Sequence, residues 1–286
     1  MKKNYLLLPL YNDWKSLNKV LVTLNQSFSN LKAKNYVYII NDNSNIKFPK
    51  KRHFKHFKSL KIINLKKNIG SQKAIFFGLM FLQKKLKNIQ NDVTISILDS
   101  DGEDNPKKLK IMIDLANKKK DTFVFAARTK RTEDLFLRLL NQIRLILTYV
   151  LTGKFINIGN FSSFSANLLK NIMSNNNLYL AYSSGVLKNY NKFFFYRVEK
   201  NERYYGKSKV SFKFLLIHSI NIIAVFYETV FIRSLLLVLL SLILFENVEL
   251  EVIITLMFIF LNSVIVYINA LNKTKKLNLS IIKDFD

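Results

Sequence analysis

Three acids fall within five residues, Asp99, Asp101 and Glu103, directly after the alternating β-type run 93–98. Asp104, Asn105 and Pro106 follow, and then a stretch of helical spacing. Carboxylates this close repel one another unless a cation joins them, and hard oxygen donors suit Mg²⁺ or Mn²⁺. The chemistry they suggest is a metal–diphosphate site; the plainer alternative is a solvated acidic turn. An EF-hand is excluded, because Gly102 stands fourth in the loop rather than sixth and Lys110 occupies the twelfth position. His53 and His56 lie among lysines in the basic segment 47–67, with no carboxylate beside them, and are not expected to bind metal.

These acids need a sheet to hold them. Residues 5–8, 36–40, 60–65, 93–98 and 122–127 read as strands, and 13–28, 70–86 and 106–117 as helices with apolar residues at three- and four-residue spacing. Alternation at this spacing implies an α/β fold with a mostly parallel sheet and right-handed crossovers. Ligands of such sheets bind beyond the carboxyl ends of the strands, where the acids sit. Further on, 133–151 reads as a long apolar helix carrying Arg138 and Arg144, 161–166 and 193–198 as strands, and 168–173 as a helix.

The chain has 286 residues and a net charge of +26. That balance suits nucleic acid, anionic lipid or phosphorylated substrates, although lysine is abundant throughout. No nucleic-acid motif or aromatic–basic stacking surface is present, so nucleic acid is not an expected partner. Cysteine is absent, which removes disulfides and thiol chemistry. The apolar run at 5–8 is too short for a signal peptide, so the first part is expected to stay in the cytoplasm.

Composition changes after residue 210. Residues 211–229 read as a helix lying in the membrane interface. Two apolar stretches follow, 230–248 and 252–271, each close to the roughly 20 residues that span a bilayer. Arg233 is expected to snorkel to the headgroups. Glu246, Glu249 and Glu251 lie between the stretches, while Arg197, Lys200, Arg203, Lys207 and Lys209 flank one side and Lys273, Lys275 and Lys276 the other. The positive-inside rule puts both flanks in the cytoplasm. The expected division is a cytoplasmic domain at 1–210, an interfacial helix at 211–229, a transmembrane hairpin at 230–271 and a cytoplasmic tail at 272–286. The alternative is a buried helical hairpin of a soluble protein.

Several short motifs, in order, carry a resemblance. Pro9, Tyr11, Asn12 and Asp13 resemble P-x-Y-N-E; Asn41, Asp42, Asn43 and Ser44 resemble D-D-G-S; Asn68, Gly70, Ala74 and Gly78 resemble N-x-G-x-x-x-A-x-x-x-G. Asp99, Asp101, Glu103 and Pro106 resemble D-x-D-x-Q with its trailing proline, Arg128 the arginine of G-x-R, and Arg203, Gly206, Lys207, Ser208 and Lys209 match R-x-x-G-x-S-K. Together they resemble a family 2 glycosyltransferase of the inverting GT-A fold, and within it the polyprenyl-phosphate glycosyltransferase group, which is similar to dolichol-phosphate mannose synthase with an added membrane hairpin.

The resemblance implies a nucleotide-diphosphate sugar donor contacted by Pro9, Tyr11, Asp13, Asp42, Asn68, Gly70, Lys73, Asp99 and Ser100, with Asp42 on the nucleobase. It implies Mg²⁺ or Mn²⁺ on Asp99, Asp101 and Glu103. It implies a polyprenyl phosphate held by Arg128, Arg131, Arg203, Lys207 and Lys209, with Asp101, Arg128, Arg203 and Lys209 central to catalysis. It further implies a multi-pass enzyme of the inner membrane with its catalytic domain in the cytoplasm, open to homo-oligomerisation. The chain departs from the pattern at Asn41, at Glu103, and at 157–161, where the family often has an aspartate before G-x-F and this chain has Asn157. A phosphate acceptor is already anionic near neutral pH and needs no strong base. The alternatives are a transferase acting on a glycan or other hydroxyl acceptor, and a membrane-anchored binding or scaffold protein without turnover. Glu133 and Asp134 could supply a base, or simply begin a helix.

Overall fold

The computed structural model describes residues 1–46, 53–86, 92–129, 135–206, 212–244, 248–274 and 277–285. Among these, β1 (Lys2–Leu10), β2 (Ala33–Asn41), β3 (Ser59–Leu65) and β4 (Val93–Ile97) form the parallel heart of the sheet, β4 and β2 flanking β1 and β3 lying outside β2. Beyond β4, β6 (Ile158–Ser165) runs antiparallel to it and to β5 (Phe123–Arg128), which pairs in parallel with β7 (Phe193–Val198). The sheet is therefore α/β and mostly parallel, as expected.

Strand period two divides the core between the two faces. Tyr5, Leu7, Tyr38, Ile40 and Ile63 face α2 (Ser71–Lys85) and the short helices α5 (Leu169–Ile172), α6 (Asn177–Leu180) and α7 (Tyr182–Asn189). Leu6, Leu8, Val37, Ile39 and Ile62 face α1 (Trp14–Ser27) and α3 (Leu109–Lys118). Both faces are covered, so β1 and β4 read as nearly continuous buried runs. Gly78 lets α2 approach the sheet: a Cβ there would lie 3.1 Å from Ile40 and 3.2 Å from Leu7.

The C-terminal part adds a second, apolar layer. α4 (Leu135–Thr152) packs on α8 (Phe212–Ala224) and α9 (Tyr227–Leu244), and α8 meets α9 at a 92° bend. α10 (Val248–Thr274) lies against α9. Asn262 of α10 donates to Ser234 Oγ of α9, and Asn269, further along α10, donates to Ala224 O at the end of α8. Within α10 the apolar stretch Glu249–Asn272 is 24 residues long, enough to cross a bilayer, and 6% of its most apolar window is buried. Among the described residues one helix is long and apolar enough to cross a bilayer, or up to two if α8 and α9 together make one bent span. The transmembrane hairpin expected at 230–271 is not shown by these helices. The Arg233 guanidinium donates to Val150 O at 3.1 Å, in the last turn of α4, where a cation complements the helix dipole. Residues 282–285, expected as tail, form β8 (Ile282–Phe285), antiparallel to β3 at the sheet edge. Leu277, Leu279, Ile281 and Ile282 pack on the core beside α2, and that burial draws the segment back to the sheet.

Candidate active site

The site is built where β1, β2, β3 and β4 end. Asn12, just past β1, takes a positive φ of 57° and ties two loops: its N–H donates to Ser44 Oγ at 2.9 Å, and its Oδ1 accepts from Asn45 N at 2.8 Å. Trp14 Nε1 closes the same junction on Ile46 O at 2.7 Å. Pro9 is buried within β1 opposite Ile40, so it packs rather than faces the cleft. Tyr11 is 42% exposed at the rim, and Asn68 is exposed on the loop before α2.

Asp42 is 2% exposed, and its two oxygens accept from the backbone N–H of Ile69 and of Gly70, both at 2.8 Å. Burial pushes its carboxyl up, against the opposing pull of those two N–H groups and of Lys73. In this geometry Asp42 fixes the turn into α2. Lys73 lies on the first turns of α2, its Nζ 5.2 Å from the Tyr179 ring centroid.

The acids after β4 are held by different partners. Asp99 accepts from Asn160 Nδ2 at 3.0 and 3.3 Å. Asn160 accepts in turn from Gln72 Nε2 at 3.0 Å, and Gln72 Oε1 accepts from Tyr182 N at 2.8 Å. Ser100 is buried beside them. Asp101 Oδ1 accepts from Glu103 N at 3.0 Å, and Oδ2 from Arg203 Nη1 at 3.2 Å. The other arm of the Arg203 fork donates to Asp13, so one guanidinium bridges the loops after β1 and β4. Glu103 pairs with Lys200 at 2.9 Å. Burial, together with the neighbouring charges of Glu103 and Asp104, pushes Asp101 up to about 6 in spite of Arg203.

Arg203 and Lys200 belong to a strap, residues 199–206, that follows β7 and lies along the acidic loop. Asn201 N donates to Glu103 O and Tyr204 N to Asp101 O, so the strap pairs with the loop through its backbone. Gly102 makes this fit possible: its φ is +87°, and a Cβ would stand 2.5 Å from the Tyr204 ring. Lys19 of α1 sits over the other side of that ring, 4.4 Å from its centroid.

Among the described residues no three His, Cys, Asp or Glu side chains gather as a metal cluster. Of the three acids expected to hold a cation, Asp99 pairs with Asn160, while Asp101 lies beside Glu103. Of the expected phosphate-binding cations, only Arg203 is placed in the site with its side chain. Arg128 ends β5, but its side chain lies outside the described residues, as do Arg131, Lys207 and Lys209, and with them Glu133 and Asp134. Sequence reasoning passed over Asn160, Gln72, Lys200, Tyr204 and Lys19. The departure from the family pattern at 157–161 was the one available signal for Asn160, and it drew attention to Asn157 instead.

The model for glycosyl transferase family 2 matches residues 5–204. The chain belongs to that family. The matched span takes in the sheet from Tyr5 of β1 through β7, the acidic loop and the strap as far as Tyr204, and leaves out β8. No curated protein matches the chain. Similar solved structures include S. aureus TarS 1–349 in complex with UDP-GlcNAc, at 18% identity and a TM-score of 0.47, covering 79% of this chain and 66% of that one. A further TarS structure covers 91% of this chain and 43% of its own, at 15% identity and a TM-score of 0.42. The mannosyltransferase PcManGT from Pyrobaculum calidifontis, in complex with GDP-Man and Mn²⁺, covers 94% and 83%, at 12% identity and a TM-score of 0.43. The family 2 chain thus spans less than two thirds of either TarS chain.

Proposed function

We propose that this family 2 member is a membrane-attached inverting glycosyltransferase that moves a sugar from a nucleotide-diphosphate sugar to a polyprenyl phosphate, such as undecaprenyl phosphate, at the cytoplasmic face of the inner membrane. The observation that carries the acceptor class is the pairing of Asp99 with Asn160. A sugar hydroxyl needs a base to take its proton. Here the position facing Asp99 is a neutral amide, Asn160, which donates to the carboxylate and cannot itself take a proton from an acceptor hydroxyl. A phosphate monoester brings its own negative oxygen.

In the reaction, an acceptor phosphate oxygen attacks the anomeric carbon. The bond from that carbon to the donor diphosphate breaks, and the nucleoside diphosphate leaves with the electron pair. Negative charge builds on the leaving diphosphate, and stabilising it where it develops is the main work of such a site. Arg203, already forked between Asp13 and Asp101, and Lys200 on Glu103 are the cations at hand. Mg²⁺ is commonly held by one or two carboxylates plus substrate phosphates, a demand that Asp101 and Glu103 meet without Asp99. When bound, it would add positive charge against the diphosphate. Arg128, Arg131, Lys207 and Lys209 complete the proposed acceptor-phosphate set.

The apolar layer supports a lipid acceptor. α4 exposes Leu139, Ile143, Ile146 and Leu147, each between 46% and 61% exposed, and α8 continues the surface with Leu216 and Ile217. Exposed apolar side chains gathered on adjoining helices mark a surface for a membrane or a protein partner. Membranes incubated with labelled UDP- and GDP-sugars and undecaprenyl phosphate, then extracted with organic solvent, test the proposal. Lipid-soluble label is expected. Label found only on a water-soluble glycan would replace the lipid acceptor with a hydroxyl one.

A further inference from the structure

We infer that Asp284, on the strand that follows the last apolar helix, is a positioning residue for the nucleotide-binding loops. This rests on the proposed use of a nucleotide-sugar donor. The observation is a relay of side-chain hydrogen bonds across the ends of three strands. Asn64 Nδ2 donates to Asp284 Oδ1, Asn41 Nδ2 donates to Asn64 Oδ1 at 2.8 Å, and Ser44 N donates to Asn41 Oδ1 at 3.0 Å. Ser44 Oγ then receives the N–H of Asn12, the residue that ties the loops after β1 and β2.

The direction of the relay follows from the chemistry of its end. An ionised carboxylate can only accept, whereas an amide side chain can present either its oxygen or its nitrogen. Asp284 therefore obliges Asn64 to turn its NH₂ outward and its oxygen inward. That oxygen in turn fixes the NH₂ of Asn41, leaving Asn41 Oδ1 aimed at the Ser44 amide. Without the carboxylate, the orientation of Asn64 loses the acceptor that its NH₂ faces, and a flipped Asn41 would set an NH₂ against an N–H. The backbone supports the same coupling. β8 pairs Asp284 opposite Asn64, and Lys66 N donates to Ile281 O at 2.9 Å, at the start of the turn that Asp42 holds. The Phe285 ring packs on Phe81 of α2 with centroids 5.4 Å apart, which keeps the strand in register.

Asp284 is half-exposed on an edge strand, so its replacement leaves the core intact. The test uses the full chain in detergent or nanodiscs, with wild type, Asp284→Ala and Asp284→Asn compared for UDP and GDP binding and for amide hydrogen exchange at residues 44–46. Asp284→Ala is expected to weaken the nucleotide that wild type binds by about 3- to 10-fold, with exchange at 44–46 raised and the melting temperature nearly unchanged. Asp284→Asn keeps an acceptor oxygen and is expected to restore most of both. Equal binding in wild type and Asp284→Ala, or faster exchange confined to β3 and β8, would overturn the inference. A wild type that binds neither nucleotide would instead overturn the donor reading itself.

Discussion

Asp101 shows how one carboxylate is set against its surroundings. Its side chain is 20% exposed, and burial with Glu103 and Asp104 holds it up at about 6 rather than at the ordinary value of 3.8. An acid whose folded value is raised binds its proton more tightly in the folded chain than in the unfolded one. Stability from this source is full below pH 4, falls as pH rises from 4 through 6, and is gone at pH 7, where the ionised group is a net cost. Asp101→Asn cannot ionise and escapes that cost, though it forfeits the ion pair with Arg203. It is therefore expected to be more stable than wild type by about 1–2 kcal/mol at pH 7 and equal to it at pH 4, while transfer is lost. Thermal melts of metal-free protein at both pH values check this; a difference independent of pH would refute the assignment of Asp101 as the strained acid. The same strain is what a divalent cation would relieve, so added Mn²⁺ is expected to raise the melting temperature of wild type more than that of the variant.

At the scale of elements, the strap and the acidic loop act as one unit through Gly102. Alanine there would need a left-handed backbone and would drive its Cβ into the Tyr204 ring. The conformational part alone is worth about 1–3 kcal/mol. Gly102→Ala is expected to push the strap away, to free Arg203 from Asp13, and to cut transfer by more than about tenfold while the far half of the sheet stays folded. Circular dichroism with donor titration measures both sides; unchanged donor affinity would mean that the strap is not part of the site. This unit also marks where the sequence stops being readable. The strand before Asp99 was legible because a β-type run ends abruptly in acids, and Arg203 was legible through its R-x-x-G-x-S-K setting. That Arg203 would fork between Asp13 and Asp101, or that Lys200 would meet Glu103, was not, because pairings across 102 and 190 residues depend on how β7 enters the sheet. β8 was hidden for a similar reason: a four-residue edge strand has too few side chains to show a period, and its partner β3 lies more than two hundred residues earlier.

On the scale of the whole molecule, the apolar helices begin and end on the same body. The start of α9 is tied down by Glu228 to Lys188 and by Arg233 to the end of α4. The end of α10 is tied down by Asn272 and Asn176, which exchange hydrogen bonds of 2.9 and 3.0 Å, and then by β8 in the sheet. A chain that leaves one body and returns to it through a bilayer must cross an even number of times, or dip in and come back. α10, with 27 residues, is about 40 Å long, and α9, with 18, about 27 Å. The second is slightly short of a hydrocarbon core of roughly 30 Å, so α9 needs local thinning of the bilayer or its bend with α8 to complete a crossing. Because the chain contains no cysteine, each introduced thiol is unique. Lys118→Cys on the transferase domain and Lys283→Cys on β8 are expected to react with a membrane-impermeant maleimide from the same side of sealed vesicles, and Glu249→Cys, at the start of α10, from the opposite side. Labelling of all three from one side would reduce the apolar layer to a dip into a single leaflet. Labelling of positions 118 and 283 from opposite sides would contradict the pairing of β8 with β3, since a strand cannot join a sheet across a membrane.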